Sequence, residues 1–187
     1  MESCVGQGSF LVGDEKFSKE NLSLFLRVLE LSGSLKPREK FWELPLDQLD
    51  DVEWEMLCDG CGRCCLKKLV DNESEELFWT RVVCKYFDRE TSNCRCYKER
   101  TKIVADCMDV KKIVEEMPNW IPPTCAYRLR AEDKPLLHWH PLLQNSPKAM
   151  QDLGISINDK CISEEHVHDD GYHEHVIRWV EDWHNGD

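Results

Sequence analysis

Apolar positions first fall into a regular pattern between Lys19 and Leu31, where Leu22, Phe25, Leu26 and Leu29 recur at helical spacing behind Ser18 as N-cap and ahead of Gly33 as stop. This predicts an amphipathic helix following a loose, glycine-containing leader over residues 1–16. The stretch from Lys36 to Asp47 is punctuated by proline, and its Phe41-Trp42 pair reads as an aromatic staple onto the core. A short helix follows, because Asp50 and Glu53 have the spacing of a capping box and Val52 and Met56 share a face. Leu66 to Asp71 and Leu77 to Val83 flank the polar run Asn72-Glu73-Ser74-Glu75, which predicts two short strands joined by a turn. Further on, Tyr97 to Val104 and Val110 to Met117 read as helices, and Pro122-Pro123 imposes an extended stretch before Cys125. Ser146-Pro147 opens a helix that ends at Gly154. The segment from Tyr172 to Trp183 predicts a last helix, with Val176, Trp179, Val180 and Trp183 on one side.

At 187 residues and 41% hydrophobic content, the chain can bury one sizeable core. The expected fold is therefore α+β: a single compact, mainly helical domain with a small β-hairpin. Residues 1–35 form its leader and amphipathic helix, and 36–187 a cysteine-rich part. The formal net charge is -12. That balance repels a phosphate backbone and argues against nucleic acid as a partner, while an acidic surface with exposed aromatics leaves a protein partner open. Met1 to Phe10 contains no basic residue and no apolar core, and no apolar run approaches the roughly eighteen residues that a membrane span needs. The chain is accordingly read as cytoplasmic and not membrane-bound.

Cysteine changes the picture most. Nine of the eleven cysteines lie between Cys58 and Cys125, namely Cys58, Cys61, Cys64, Cys65, Cys84, Cys94, Cys96, Cys107 and Cys125; only Cys4 and Cys161 lie outside. Disulfides are disfavoured in a reducing compartment, so the clustering points to thiolate metal ligation. The run Cys58-Asp-Gly-Cys61-Gly-Arg-Cys64-Cys65 steps three thiols at two-residue intervals, and Gly60 and Gly62 let backbone amides approach sulfur. Its first three cysteines resemble those of the bacterial ferredoxin pattern, but the fourth ligand must come from further along the chain. Adjacent side chains diverge, so Cys64 and Cys65 do not both serve one metal ion. Nine thiols suffice for two four-thiolate centres with one left over.

Thiolates suit both iron and zinc. Zinc sites more often use two separated CxxC pairs or include histidine, so the closely stepped CxxCxxC favours an iron-sulfur cluster over structural zinc. His138 and His140 read as polar positions around a packed Trp139. His166, His168, His173 and His175 read as part of a solvated acidic face. Asp106, Arg100, Tyr127 and Arg128 stand near later cysteines, where they serve either as hydrogen-bonding neighbours of a thiolate site or as surface ion pairs. No glycine-rich phosphate loop, HExxH or Gly-x-Ser-x-Gly pattern is present, so the residues name neither a small-molecule substrate nor a reaction.

Several motifs together carry a family resemblance: Phe41-Trp42-Glu43, the Cys58 to Leu66 run with Lys68-Leu69, Cys84, Cys94-x-Cys96, Asp106-Cys107, Trp120-x-Pro122-Pro123-Thr124-Cys125-Ala126-Tyr127-Arg128 and Trp139-His140-Pro141-Leu142. Over residues 41–158 the chain resembles the bacterial YcgN-like proteins. These belong to the CxxCxxCC group, described as zinc- or iron-chelating domains, which also includes flagellin lysine N-methylases. The resemblance implies metal chelation by the cysteine domain, and kinship to the methylases raises a protein-modifying enzyme as a further alternative. Ala105 departs from the family pattern, where proline is usual.

Overall fold

The computed structural model describes residues 36–181. The leader with Cys4, the helix expected over Lys19 to Leu31, and Trp183 lie outside them. The first helix, α1 (Asp51–Met56), starts at the expected capping box: Asp50 Oδ1 accepts the Val52 and Glu53 N–H groups at 2.9 Å, and the Glu53 carboxylate accepts the Asp50 N–H at 3.3 Å. Glu53 is completely buried, and Arg38 answers its charge by donating through its backbone N–H at 2.8 Å and its Nε at 2.9 Å. These bonds, the guanidinium's above all, hold the Glu53 carboxyl down to about 2 against the opposing effect of burial.

The hairpin forms as expected, with β1 (Leu66–Val70) antiparallel to β2 (Leu77–Val83). Its turn is fixed by Asp71, whose Oδ1 accepts the Glu73 and Ser74 N–H groups at 3.0 and 2.8 Å. The sheet is larger than a hairpin. Two segments from the C-terminal part share the other edge of β2: β5 (Ile162–Ser163) runs parallel to Val82 and Val83, and β6 (Val176–Ile177) runs antiparallel to Trp79 and Thr80. Trp79, Thr80, Val82 and Val83 are all buried, as a central strand covered on both faces requires. A second, two-stranded sheet pairs β3 (Phe87–Asp88) with β4 (Asn93–Cys94).

The remaining helices are α2 (Arg100–Ile103, following a 3₁₀ turn at Tyr97–Glu99), α3 (Val110–Glu116), α4 (Ala126–Ala131), α5 (Pro141–Gln144) and α6 (Lys148–Asp152). Helix α6 ends where expected, at Gly154 with φ +63°, by hydrogen bonds from Gly154 N–H to Gln151 and from Ile155 N–H to Met150. The whole is an α+β mixture of short elements. Two expectations fail. No helix spans Tyr172 to the last described residues: Asp169–His175 is 3₁₀, and the β-branched pair Val176-Ile177 joins the free edge of β2 instead. Before Cys125 the chain turns rather than extends, with Cys125 N–H bonded to Pro122 O at 3.0 Å. Pro123 has the backbone angle that the second position of such a turn needs. Among the described residues, no helix is long and apolar enough to cross a membrane.

Three apolar clusters form the core. One gathers Phe41, Trp54, Leu57, Ile121 and Tyr127, with Trp54 and Tyr127 stacked at 4.6 Å. A second gathers Leu66, Trp79, Val83, Phe87, Ile157 and Val180, and a third Trp139, Met150, Ile155 and Cys61. Cys125 packs on the first and Cys65 on the second, so the cysteine loop lies where the three meet.

Candidate metal centre

The loop from Cys58 to Cys65 is shaped by two glycines in left-handed backbone, Gly60 at φ +72° and Gly62 at φ +77°. Cys61 N–H donates to Asp59 Oδ1 at 3.0 Å, and Cys61 O accepts Ile157 N–H at 3.1 Å. Cys65 N–H then closes on Gly62 O at 2.9 Å, making a 3₁₀ turn over Arg63–Cys65. Arg63 is only 2% exposed. Its Nε donates to Ile155 O at 2.9 Å, its Nη1 donates to Thr124 Oγ1 at 3.3 Å, and its guanidinium lies 5.5 Å from the Trp179 ring centroid. One side chain thus ties the loop to the segment before Cys125 and to the third cluster.

Burial pushes the thiols of Cys58, Cys61 and Cys125 up, Cys125 to about 12. In all three the negative charge of Asp59 and the neighbouring Cys64 act in the same direction. Backbone N–H groups oppose this by donating to sulfur: Gly60 to Cys58, Arg63 to Cys61, and Tyr127 and Arg128, at the start of α4, to Cys125. Cys64 goes the other way. The Cys65 thiol donates to it and holds it down to about 7; burial opposes that shift and the Lys68 ammonium assists it. Lys68 is itself lowered to about 8 by burial, and donates to Cys64 O at 3.3 Å and Leu66 O at 3.0 Å.

The remaining thiols form a second neighbourhood. Ionisation of Cys65 is opposed by Cys94 and Cys84, that of Cys84 by Cys94, and that of Cys107 by Cys94 and Cys84. Cys64, next to Cys65 in the chain, is felt by both groups. The sulfurs of Cys94 and Cys96 lie 4.0 Å apart. Cys161 is buried in the second apolar cluster, with its thiol directed at Asn158 O, and no other thiol figures among the charges that act on it.

Among the described residues, no three Cys, His, Asp or Glu side chains already stand in an arrangement that could hold a metal ion. The donor set itself suits a soft metal: buried thiols kept neutral by desolvation, several with N–H groups on sulfur that stabilise the thiolate once a cation replaces the proton. Asp59 adds a buried Oδ2 without a hydrogen-bond partner, beside thiols of the first group.

The histidines are structural or peripheral. His140 is buried, and its Nδ1 accepts Leu142 N–H at 3.1 Å as the cap of α5, which leaves Nε2–H for Leu57 O at 3.3 Å. His138, His166, His168 and His173 are exposed, and His175 Nδ1 accepts from Arg81 Nε at 3.1 Å. Asp106 pairs with Lys67 at 2.8 Å. Arg100 donates to Tyr97 O, Tyr127 to Trp54 O, and Arg128 to Ile121 O and Glu132. Tyr127 and Arg128 therefore reach the thiol site through their backbone amides rather than their side chains. Arg63 and Asp59 went unnoticed in the sequence.

Residues 57–126 match the family described as "CxxCxxCC: Putative zinc- or iron-chelating domain". A UPF0260 protein of Brucella canis is 44% identical over 140 residues, which is 73% of this chain and 92% of the relative. UPF0260 proteins of Azotobacter vinelandii (45% over 140 residues; 74% and 94%) and Gluconobacter oxydans (39% over 148 residues; 79% and 90%) are similarly covered. No solved structure matches the chain. Because the relatives align over nearly their full length and the cysteine run falls inside the matched region, this chain belongs to the UPF0260 family, the YcgN-like group of CxxCxxCC proteins.

Proposed function

We propose that the protein is a cytoplasmic metal carrier of redox type, in which Cys58, Cys61, Cys64 and Cys125 hold an iron-sulfur cluster that transfers electrons or supports an enzyme reaction. The observation that carries the proposal is the first thiol neighbourhood: four cysteines whose charges are felt within one group, three of them receiving backbone N–H groups on sulfur. Such N–H···S contacts are a principal means by which a protein sets the potential of a cluster. Arg63 and Lys68 support the reading further, because two buried cations beside the loop offset part of the negative charge of four thiolates. The cluster would supply one-electron chemistry. The chain's own part is to exclude water with three apolar clusters and to orient sulfur through the loop.

Anaerobic purification followed by metal analysis and a visible spectrum tests this. Iron with acid-labile sulfide and thiolate-to-iron absorption is the expected result, lost in Cys61→Ser. A colourless protein with stoichiometric zinc overturns the iron-sulfur assignment in favour of a structural zinc module for a protein partner. Full metal retention in Cys61→Ser removes the ligand assignment itself.

A further inference from the structure

We propose that the chain builds a second, separate thiolate metal centre from Cys65, Cys84, Cys94 and Cys107, back to back with the first. This rests on the metal-binding reading above and deepens it. The argument begins at the open end of the β1–β2 hairpin. Leu66 pairs with Val83, and the ladder continues one step further through Cys84 N–H to Cys65 O at 3.1 Å, which sets those two cysteines beside each other. Phe87 N–H then bonds Cys84 O at 2.9 Å and turns the chain, and Arg95 N–H bonds Tyr86 O at 2.8 Å. With Phe87 opposite Cys94 in the β3–β4 ladder, the Cys94 loop is folded back onto the Cys84 corner. Cys107 is brought to the same end by its predecessor, since Lys67, the second residue of β1, donates to Asp106 at 2.8 Å. Four chain segments that are distant in sequence are thus tied to one end of one hairpin.

These thiols do not merge with the first group for a geometric reason. Cys64 and Cys65 stand on a 3₁₀ turn, where consecutive side chains diverge by about 120°. Cys65 packs on the cluster of Trp79 and Phe87, whereas Cys61 and Cys125 belong to the other two. A four-coordinate metal, or a cluster held by four thiolates, cannot take eight. The mutual opposition to ionisation among Cys65, Cys84, Cys94 and Cys107 is what a shared cation would relieve. Cys96, 7% exposed and 4.0 Å from the Cys94 sulfur, is the ninth thiol and stays a buried small side chain.

The experiment counts metal per chain in anaerobically purified wild type, Cys61→Ser, Cys84→Ser, Cys94→Ser and the Cys61→Ser/Cys84→Ser double variant. Each single variant should lose about half of the metal, and the double variant nearly all of it. Wild-type metal content in both Cys84→Ser and Cys94→Ser overturns the second centre and leaves the first intact. Complete loss in Cys84→Ser overturns it too, because one shared centre is then at work. Wild type carries an independent check for variants that do not yield soluble protein. During stepwise metal removal by a chelator, alkylation mapped by mass spectrometry should show the two sets of four cysteines becoming reactive in separate steps. Simultaneous release of all eight sinks the proposal.

Discussion

Gly60 and Gly62 have nearly the same left-handed backbone, but a Cβ at Gly60 would meet nothing within 4 Å, whereas one at Gly62 would lie 2.6 Å from Phe87 Cζ and 2.9 Å from Ile157 Cγ1. Gly60→Ala should therefore cost only the backbone penalty of about 1–2 kcal/mol. Gly62→Ala should cost roughly 1–3 kcal/mol more, because a ring and a branched side chain in the core must move. Urea unfolding of the metal-replete proteins measures both, and equal losses would show that the contact with Phe87 does not hold the loop. At this scale the sequence was legible wherever the signal was local. The cysteine run, its glycines and the Asp50–Glu53 cap lie within a few residues of their partners. Arg63 was not legible, because its acceptors Ile155 and Thr124 lie 92 and 61 residues away.

Elements show the same division. Helix α1 and the β1–β2 hairpin were predictable because a cap and a turn specify them. The fate of Val176-Ile177 was not, since the free edge of β2 that captures them is set by residues 79 and 80. Helix α1 also carries a pH dependence through Glu53. Its folded carboxyl lies at about 2, below the ordinary range near 4.5, so its contribution to stability is full above the ordinary value and fades as pH falls towards 2. Glu53→Gln should accordingly be less stable than wild type at neutral pH, and the gap should narrow as the pH is lowered below about 4.5. Unfolding midpoints of the two proteins across that range test the idea; a gap that stays constant to pH 3 would assign the effect of the substitution to packing alone.

For the whole molecule, short helices and a small sheet converge on the cysteine loop. If metal occupies it, removal should loosen the fold far beyond the loop itself. For a chain of this size each kcal/mol of stability corresponds to about 2–4 °C of midpoint, and thiolate metal contributes several kcal/mol. The thermal midpoint should therefore fall by roughly 10 °C or more when a chelator strips the protein under reducing conditions. An unchanged midpoint after verified metal loss would make the metal a passenger rather than a support. The shared edge of β2 has a consequence of a different kind. Ile177 and Val176 occupy the backbone groups of Trp79 and Thr80, and Val180 is completely buried in the cluster beneath. A chain cut after residue 170 would leave part of a flat, apolar strand unsatisfied, which is a template for pairing with a second copy. Such a truncation should sediment as dimers and larger species, so the C-terminal segment acts as this protein's own guard against self-association.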